Sequence, residues 1–420
     1  MKKLLFFIVI IFFATNIRSQ QWVIYTPNNS GLPDSFVSSI LIDSNNVKWI
    51  TTSNGFVRMK GNSWTVYDTI NSGLPQNACY PVTKDKQNNL WIATANKGIV
   101  KFDGINWIVY NLNNTGFNIN QSTSIVFDDN NTKWIGAGGG VYKFNDTNWV
   151  RYYPGNSGQP SNMVQNLFYE NNTLWVGSYD KGLIKYDGQN WTVYNMNNSG
   201  LPSNEINMIK SDIYNNMWIS TFWGGVAKFN TNQNIWTVYN TGNSGLQDNN
   251  TFSIYVDNNN VKWIGAGGCA IFNDTIWQIF TYSFINDVLN FAKDKYGNMW
   301  ICSTMGLYVY NPSGVVGVEN ISTIIPENFV FLQNYPNPFN PTTNIKFSIV
   351  NSGDVKLVVY DIQGREVQTL VNESLKPGTY EAVFDGSSLN SGVYFYKLVV
   401  RHGGSSTGSF TETKKMLLIK

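Results

Sequence analysis

The chain has 420 residues, with 29 Lys plus Arg against 27 Asp plus Glu, a single histidine and a formal net charge of +2. Charged residues are 13% and aromatic residues 15% of the whole. No basic run exists to track a phosphate backbone, so a nucleic-acid groove is excluded, while the aromatic content can fill a large core in two or three domains.

The N-terminus reads as a targeting segment. Lys2 and Lys3 precede an eleven-residue apolar stretch, Leu4–Ala14, too short to span a bilayer comfortably. A signal peptide over residues 1–20, cut near Ser19 or Gln20, is expected, with no integral membrane segment after cleavage.

From there tryptophan sets a period. Trp22, Trp64, Trp107, Trp149, Trp191, Trp236 and Trp277 each open a W-x-x-[YF] tetrad. Trp49, Trp91, Trp134, Trp175, Trp218, Trp263 and Trp300 each stand in a W-[IV] pair. Steps in both series are close to 42 residues, the signature of a repeat architecture, and only Trp223 falls outside them. Each unit reads as four short strands. In the first, Phe36–Ile42, Val47–Thr51, Phe56–Lys60 and Trp64–Tyr67 are separated by Asp43–Asn46, Asn54-Gly55 and Gly61-Asn62, residues that tolerate turn geometry. Four strands per unit predict a propeller blade. Units begin near Phe36, Ala78, Ser122, Met163, Ile206, Thr251 and Ile285, and the last stops at Tyr310 without a fourth strand. Trp22–Tyr25 is the spare fourth strand, so it is expected to complete the seventh blade and close the ring. The prediction is an all-β chain, a seven-bladed β-propeller over 21–311 followed by a small Ig-like β-sandwich.

The unit Trp64-Thr65-Val66-Tyr67…Ser72-Gly73-Leu74-Pro75…Leu90-Trp91-Ile92…Gly98-Ile99-Val100-Lys101-Phe102-Asp103-Gly104 resembles the two-component-regulator propeller repeat. Ser-Gly-Leu-Pro recurs at 30–33 and 199–202, with Ser-Gly-Gln-Pro at 157–160. The resemblance covers about residues 22–311. It implies an extracytoplasmic sensor-type propeller, but no kinase or receiver accompanies it, so signalling is not carried over.

Residues 312–328 read as a linker. Beyond it, alternating strands at Asn344–Ile349, Val355–Tyr360, Gly378–Asp385 and Gly392–Val400 suggest a β-sandwich over 329–420. Tyr335-Pro336-Asn337-Pro338-Phe339, Gly364-Arg365, Gly392 with Tyr394, and the terminal Lys414-Lys415 with Leu417 closely resemble the type A C-terminal sorting domain of type IX secretion substrates. The resemblance implies passage through a type IX translocon, handling by a sortase-like peptidase, and a place on the outer-membrane surface or outside the cell.

Catalytic residue types are scarce. The only histidine, His402, lies in the C-terminal domain, so a histidine-dependent propeller lyase and a Ser-His pairing are both excluded. With Arg58 and Arg151 as the propeller's only arginines, a sialidase-type arginine triad is excluded too. Cys79, Cys269 and Cys302 make no disulfide framework and show no metal-ligand spacing, so no cofactor and no metal is expected. Asp43, Asp85, Asp128, Asp212, Asp257 and Asp294 each precede a W-[IV] tryptophan by six residues, and Glu170 precedes Trp175 by five. A fixed offset favours a turn device over calcium or catalysis.

In such propellers the loop from strand four to the next strand one shares a face with the turn between strands two and three, and that face usually binds. Most of those turns are small, as at Ser53-Asn54, Gly138-Gly139 and Gly267-Gly268. Tyr179-Asp180-Lys181 and Phe222-Trp223 are not. Aromatic side chains beside polar ones suit a sugar-stacking platform, which makes Tyr179, Asp180, Phe222 and Trp223 the candidate ligand-binding residues. The other reading has Trp223 plugging the channel or packing on a neighbouring loop. Two function classes stand: a non-catalytic binding module for a glycan or a protein, or a carbohydrate-active enzyme, a glycosidase or lyase using carboxylates such as Asp180. The shortage of catalytic residue types favours the first.

Overall fold

The structure, a computed structural model, describes residues 22–61, 63–280, 287–311, 318–322, 326–386, 389–401 and 409–420. The signal segment expected at 1–20 lies outside them. Two compact units result, one over Val23–Tyr310 and one from Asn311 to Lys420.

The first unit holds seven four-stranded sheets. Their first strands are Val37–Ile42, Cys79–Lys84, Ser124–Phe127, Val164–Glu170, Ile206–Ser211, Ser253–Val256 and Val288–Lys293, and the blades are numbered one to seven in that order. Each first strand packs against its neighbours, and Val37–Ile42 touches both Cys79–Lys84 and Val288–Lys293, so the inner strands run around a closed ring. Closure occurs as expected: Trp22–Tyr25 joins the outer side of Gly306–Tyr310 in blade seven.

The two tryptophan series have separate packing roles. Trp91 and Trp218, in second strands, have no solvent exposure. Lys101 of the same blade and Lys133 of the next bring their ammonium groups to 6.0 and 5.4 Å from the Trp91 ring centroid. Lys133 is itself buried, and its charge is met by Asp146 at 2.6 Å. Lys262 repeats the arrangement over Trp218 at 4.8 Å, paired with Asp274. Fourth-strand tryptophans instead stack on a third-strand aromatic, as in Phe102–Trp107 and Phe229–Trp236, both at 4.0 Å. Such offset stacks add to the area each ring buries.

Ser-Gly-Leu-Pro locks one blade to the next. Leu32, Leu74 and Leu201 are buried, and Ser72 Oγ donates to Asp68 O. The glycine backbone lies against the fourth-strand tryptophan of the following blade: a Cβ on Gly200 would sit 2.4 Å from Trp236 Cβ. Gly200→Ala is therefore expected to destabilise the propeller by about 1–3 kcal/mol through overpacking. Chemical denaturation checks this, and an unchanged midpoint would remove the lock. An asparagine staples each of these loops: Asn71 Oδ1 accepts from Asp68 N while its Nδ2 donates to Val66 O, and Asn198 and Asn243 repeat the pattern. Around Asn111 the same loop tightens into a four-residue helix, Leu112–Thr115, capped by Asn111.

The second unit is a sandwich of two four-stranded sheets. One orders Val318–Ser322, Gly378–Asp385, Thr342–Ile349 and Val330–Phe331, and the other Glu366–Leu375, Gly353–Tyr360, Gly392–Arg401 and Phe410–Leu418. Val318–Ser322 lies inside the stretch read as linker and pairs antiparallel with Gly378–Asp385, so the sandwich starts earlier than residue 329. Phe347, Phe384, Tyr396 and Leu357 are among its buried core.

Candidate binding face of the propeller

The repeated acids are turn devices. Asp212 Oδ1 accepts from the backbone N–H of Tyr214 and Asn216, both at 2.9 Å, and Oδ2 accepts from the Trp218 indole N–H at 2.9 Å. Asp85 does the same for Gln87, Asn89 and Trp91, and Asp294 for Tyr296, Asn298 and Trp300. At both Asp85 and Asp212 burial opposes ionisation, but hydrogen bonds from the tryptophan indole, the asparagine side chain and the backbone outweigh it and hold the carboxyl below its ordinary value. The offset of six is the spacing at which the acid reaches the indole across the hairpin. Two blades depart from this: Glu170 in blade four accepts from Ser211 Oγ rather than from Trp175, and in blade six Lys293 takes Asp257 Oδ2 at 2.7 Å and the buried Trp263 indole nitrogen is left without a partner. No group of three His, Cys, Asp or Glu side chains that could hold a metal occurs among the described residues. The three cysteines are buried free thiols, and burial pushes the Cys79 thiol up to about 12.

The strand two–three turns and the strand four–one loops meet on one face. Asn77 Nδ2 donates to Asn54 Oδ1 at 3.2 Å, and Asn96 N to Gln76 Oε1 at 2.9 Å. The two prominent turns lie in blades four and five. Gly182 N donates to Asn204 O and Phe222 N to Glu205 O, so one pair of consecutive residues anchors both turns. Tyr179 is 42% exposed, and its N–H donates to Met163 O. Asp180 Oδ1 accepts from Ser161 Oγ, and Oδ2 lies 3.6 Å from Lys181 Nζ.

Trp223 is 68% exposed, so it is not packed on a neighbouring loop. Its backbone adopts φ 65°, a left-handed conformation that is costly for a bulky residue. Asn250 Oδ1 holds that backbone by accepting from Trp223 N at 2.8 Å. Phe222 stands edge-on to the Trp223 ring at 5.1 Å and faces Phe252 at 6.4 Å.

Four residues of this face were not among the candidates. Glu205 Oε2 and Gln159 Nε2 are buried polar atoms without a partner. Ser161 links Gln159 to Asp180, its N–H donating to Gln159 Oε1 at 2.9 Å. Arg151 donates through Nε and Nη2 to Gly139 O at 2.8 and 2.6 Å. The available signal was departure from the repeat. Arg151 stands where Val66, Val109, Val193 and Val238 stand in other blades, and Gln159 where Leu32, Leu74 and Leu201 stand.

Most of the C-terminal motif residues build the sandwich. Pro336 O accepts from Asn334 Nδ2 and Thr343 Oγ1. Asn337 Oδ1 accepts from Leu417 N at 2.9 Å, Phe339 is buried, and Phe339 N donates to Leu417 O. The first and last motifs are thus knit together. Gly364 makes the turn at φ 76°, Arg365 pairs with Asp361 at 2.6 Å, and Tyr394 OH donates to Asn390 O. Gly392 pairs with Leu418, Lys414 with Glu412 at 2.8 Å, and Lys415 O accepts from Gln333 Nε2. Tyr335, at 81% exposure, and the exposed Pro338 project outward. No helix among the described residues is long and apolar enough to cross a membrane.

Comparison with known proteins fits this division. Residues 333–411 match the family described as the secretion system C-terminal sorting domain. No curated protein matches the chain in sequence. Among solved structures it is similar to the extracellular domain of BT4673 from B. thetaiotaomicron, named both as a one-component and as a hybrid two-component system (TM-score 0.62, 17% identity, covering 96% of this chain and 59% of that one). It is similar to PorZ, a surface component of the type IX secretion system of Porphyromonas gingivalis (TM-score 0.56, 16% identity, 93% of this chain and 60% of that one). The chain thus spans about three fifths of the length of these neighbours. The propeller part is also similar to a streptogramin B lyase (TM-score 0.56, 16% identity, 69% of this chain and 98% of that one). At these identities the likeness shows the propeller fold alone. The C-terminal unit carries a type IX secretion sorting domain, and the chain is exported, to the outer-membrane surface or outside the cell.

Proposed function

We propose that the chain is a type IX cargo whose propeller is a non-catalytic binding module, taking a glycan on the face formed by blades four and five. The supporting observation is Trp223. It is a large aromatic that breaks the repeat, is 68% exposed and is held in a strained backbone by Asn250. An exposed indole beside Phe222, Tyr179 and Asp180 offers a stacking surface with polar groups at its edge, the arrangement a sugar ring recognises. The translocon and a sortase-like peptidase are the partners proposed for the C-terminal domain, with Tyr335 and Pro338 as exposed contacts. One neighbour, virginiamycin B lyase from Staphylococcus aureus, is catalytically inactive when a histidine is replaced by alanine. The propeller here has no histidine at all.

One observation speaks for chemistry instead. Glu205 Oε2 is a buried carboxylate oxygen without a partner, on the same segment that anchors both turns. Titration of the full chain with soluble polysaccharides, read by tryptophan fluorescence, tests the binding reading. Saturable quenching is expected with at least one polymer, weakened about tenfold or more in Trp223→Ala, as expected for loss of a stacked aromatic. A response identical in the variant would sink the assignment of this face.

A further inference from the structure

The repeat supplies its own reference for each position, so a residue that departs from it without a folding reason points to a role outside folding. The residue directly after the second strand is Ser53, Ala95, Gly138, Tyr179 and Phe222 in blades one to five. Gly138 is the departure. Its backbone is not in the left-handed region, and a Cβ placed on it would meet nothing within 4 Å. Neither strain nor crowding calls for glycine there, and blades one and two carry Ser53 and Ala95 at the same point. A glycine that folding does not need costs conformational entropy and leaves bare backbone open to an approaching ligand.

The hydrogen bonds show what is open. Ser53, Ala95, Tyr179 and Phe222 each donate their N–H within their own blade, to Phe36 O, Ala78 O, Met163 O and Glu205 O. In blade three a bond to the next blade stands in its place: Gly139 N donates to Asn162 O, and Gly138 faces Met163 across an isolated antiparallel bridge. Because the flanking residues make the bond, Gly138 turns its own N–H and C=O away from Met163. Gly138 is exposed, and neither group has a hydrogen-bond partner among the described residues. Met163 is thus set between Gly138 on one side and Tyr179, whose N–H it receives at 2.9 Å, on the other. Met163 is 50% exposed and Tyr179 42%. Directly opposed residues project to the same side of a ladder, so the thioether and the phenol ring make an apolar floor that drops to bare backbone at Gly138. Trp223 continues this surface, because Gly182 N on Asn204 O and Phe222 N on Glu205 O hold the turns of Tyr179 and Trp223 to one segment.

We infer that Gly138, Met163 and Tyr179 form a second sugar subsite, so that the propeller takes an internal stretch of a linear glycan laid across blades three to five and not a single terminal sugar. Met163 and Tyr179 receive the apolar face of one ring, and the Gly138 N–H and C=O, a donor and an acceptor on one residue, match neighbouring sugar hydroxyls. This rests on the glycan-binding reading above, which supplies the first subsite at Trp223, and it names the ligand class. The full chain and its variants are titrated calorimetrically with disaccharides and hexasaccharides of β-1,4-glucan, β-1,4-mannan and β-1,4-xylan. In the series that binds, wild type is expected to hold the hexasaccharide at least about 20-fold more tightly than the disaccharide, because the second contact forms within one complex. Gly138→Glu, which fills the open space, and Met163→Ser, which removes the floor, should each cut that preference to about fivefold or less. Gly138→Ala serves as the folding control and should melt about 1–3 °C above wild type, because alanine restricts the unfolded chain where the native backbone accepts it. A preference unchanged in Gly138→Glu, or a Gly138→Ala variant that melts below wild type, would overturn the inference. Equal affinity for both lengths, lost in Trp223→Ala, would overturn it while leaving the binding face in place. No binding in any series would overturn both.

Discussion

Deleting Trp22–Tyr25 is expected to cost the propeller at least about 4 kcal/mol and to make it self-associate more than the intact chain. The third strand of blade seven, Gly306–Tyr310, is buried along its whole length, unlike the fourth strands, whose outer residues alternate between half-buried and exposed. It is not built to be an edge. Removing its partner strips ladder hydrogen bonds and the Tyr25 ring, which stacks on Trp300 at 5.9 Å and meets Trp64 edge-on at 5.4 Å. Tyr25 therefore touches blades seven and one and closes the ring by its side chain as well as its backbone. The unpaired strand then offers itself to a second chain. A melting temperature lower by about 10 °C or more, with oligomers in sedimentation, is the expected result. A monomeric variant melting like wild type would show that closure contributes little.

Replacing Asp212 by alanine is expected to cost about 3–5 kcal/mol, because several donors lose their acceptor at once inside the protein. Asp212 is 5% exposed, and Trp218, whose indole it receives, has no exposure. Asp43→Ala is the internal contrast. That acid is half-buried, its indole bond to Trp49 is longer at 3.2 Å, and a cost of about 1 kcal/mol is expected. The network also has a pH signature. The folded carboxyls of Asp85 and Asp212 titrate below their unfolded value near about 3.9. Their stabilisation is fully present above that pH and is lost as pH falls through the folded value. Denaturation midpoints measured from pH 6 downward should therefore decline below about pH 4 in wild type, and less steeply in Asp212→Asn. Equal acid sensitivity would assign the acid limb to other groups.

The ring could be read from the sequence because each blade repeats one packing solution. The W-x-x-Y tetrad at Trp22–Tyr25, ahead of the first complete unit, and the lack of such a tetrad in the unit ending at Tyr310 together state the closure. The sandwich was harder to read. Val318–Ser322 has no alternation of its own and is a strand because Gly378–Asp385 needs a partner. Phe410–Leu418, with Glu412, Lys414 and Lys415, is not among the strands expected from alternation, yet it pairs along Gly392–Val400 as an edge where charges are tolerated. On the candidate face, Trp223 announced itself by breaking the repeat. The joining of its turn to that of Asp180 did not, because Asn204 and Glu205 make it with backbone carbonyls, which leave no mark on residue type. Gln159 was visible as a variant letter in Ser-Gly-Gln-Pro, but its missing partner is a fact of three dimensions.

The central claim is that this propeller binds a glycan and leaves it intact. The direct measurement is to incubate the full chain with each polysaccharide that quenches its tryptophan fluorescence and to quantify new reducing ends and unsaturated products, with Glu205→Gln alongside. Saturable binding with no product above the protein-free control is the predicted result. Product that accumulates with protein concentration and disappears in Glu205→Gln would contradict it and make the face an active site.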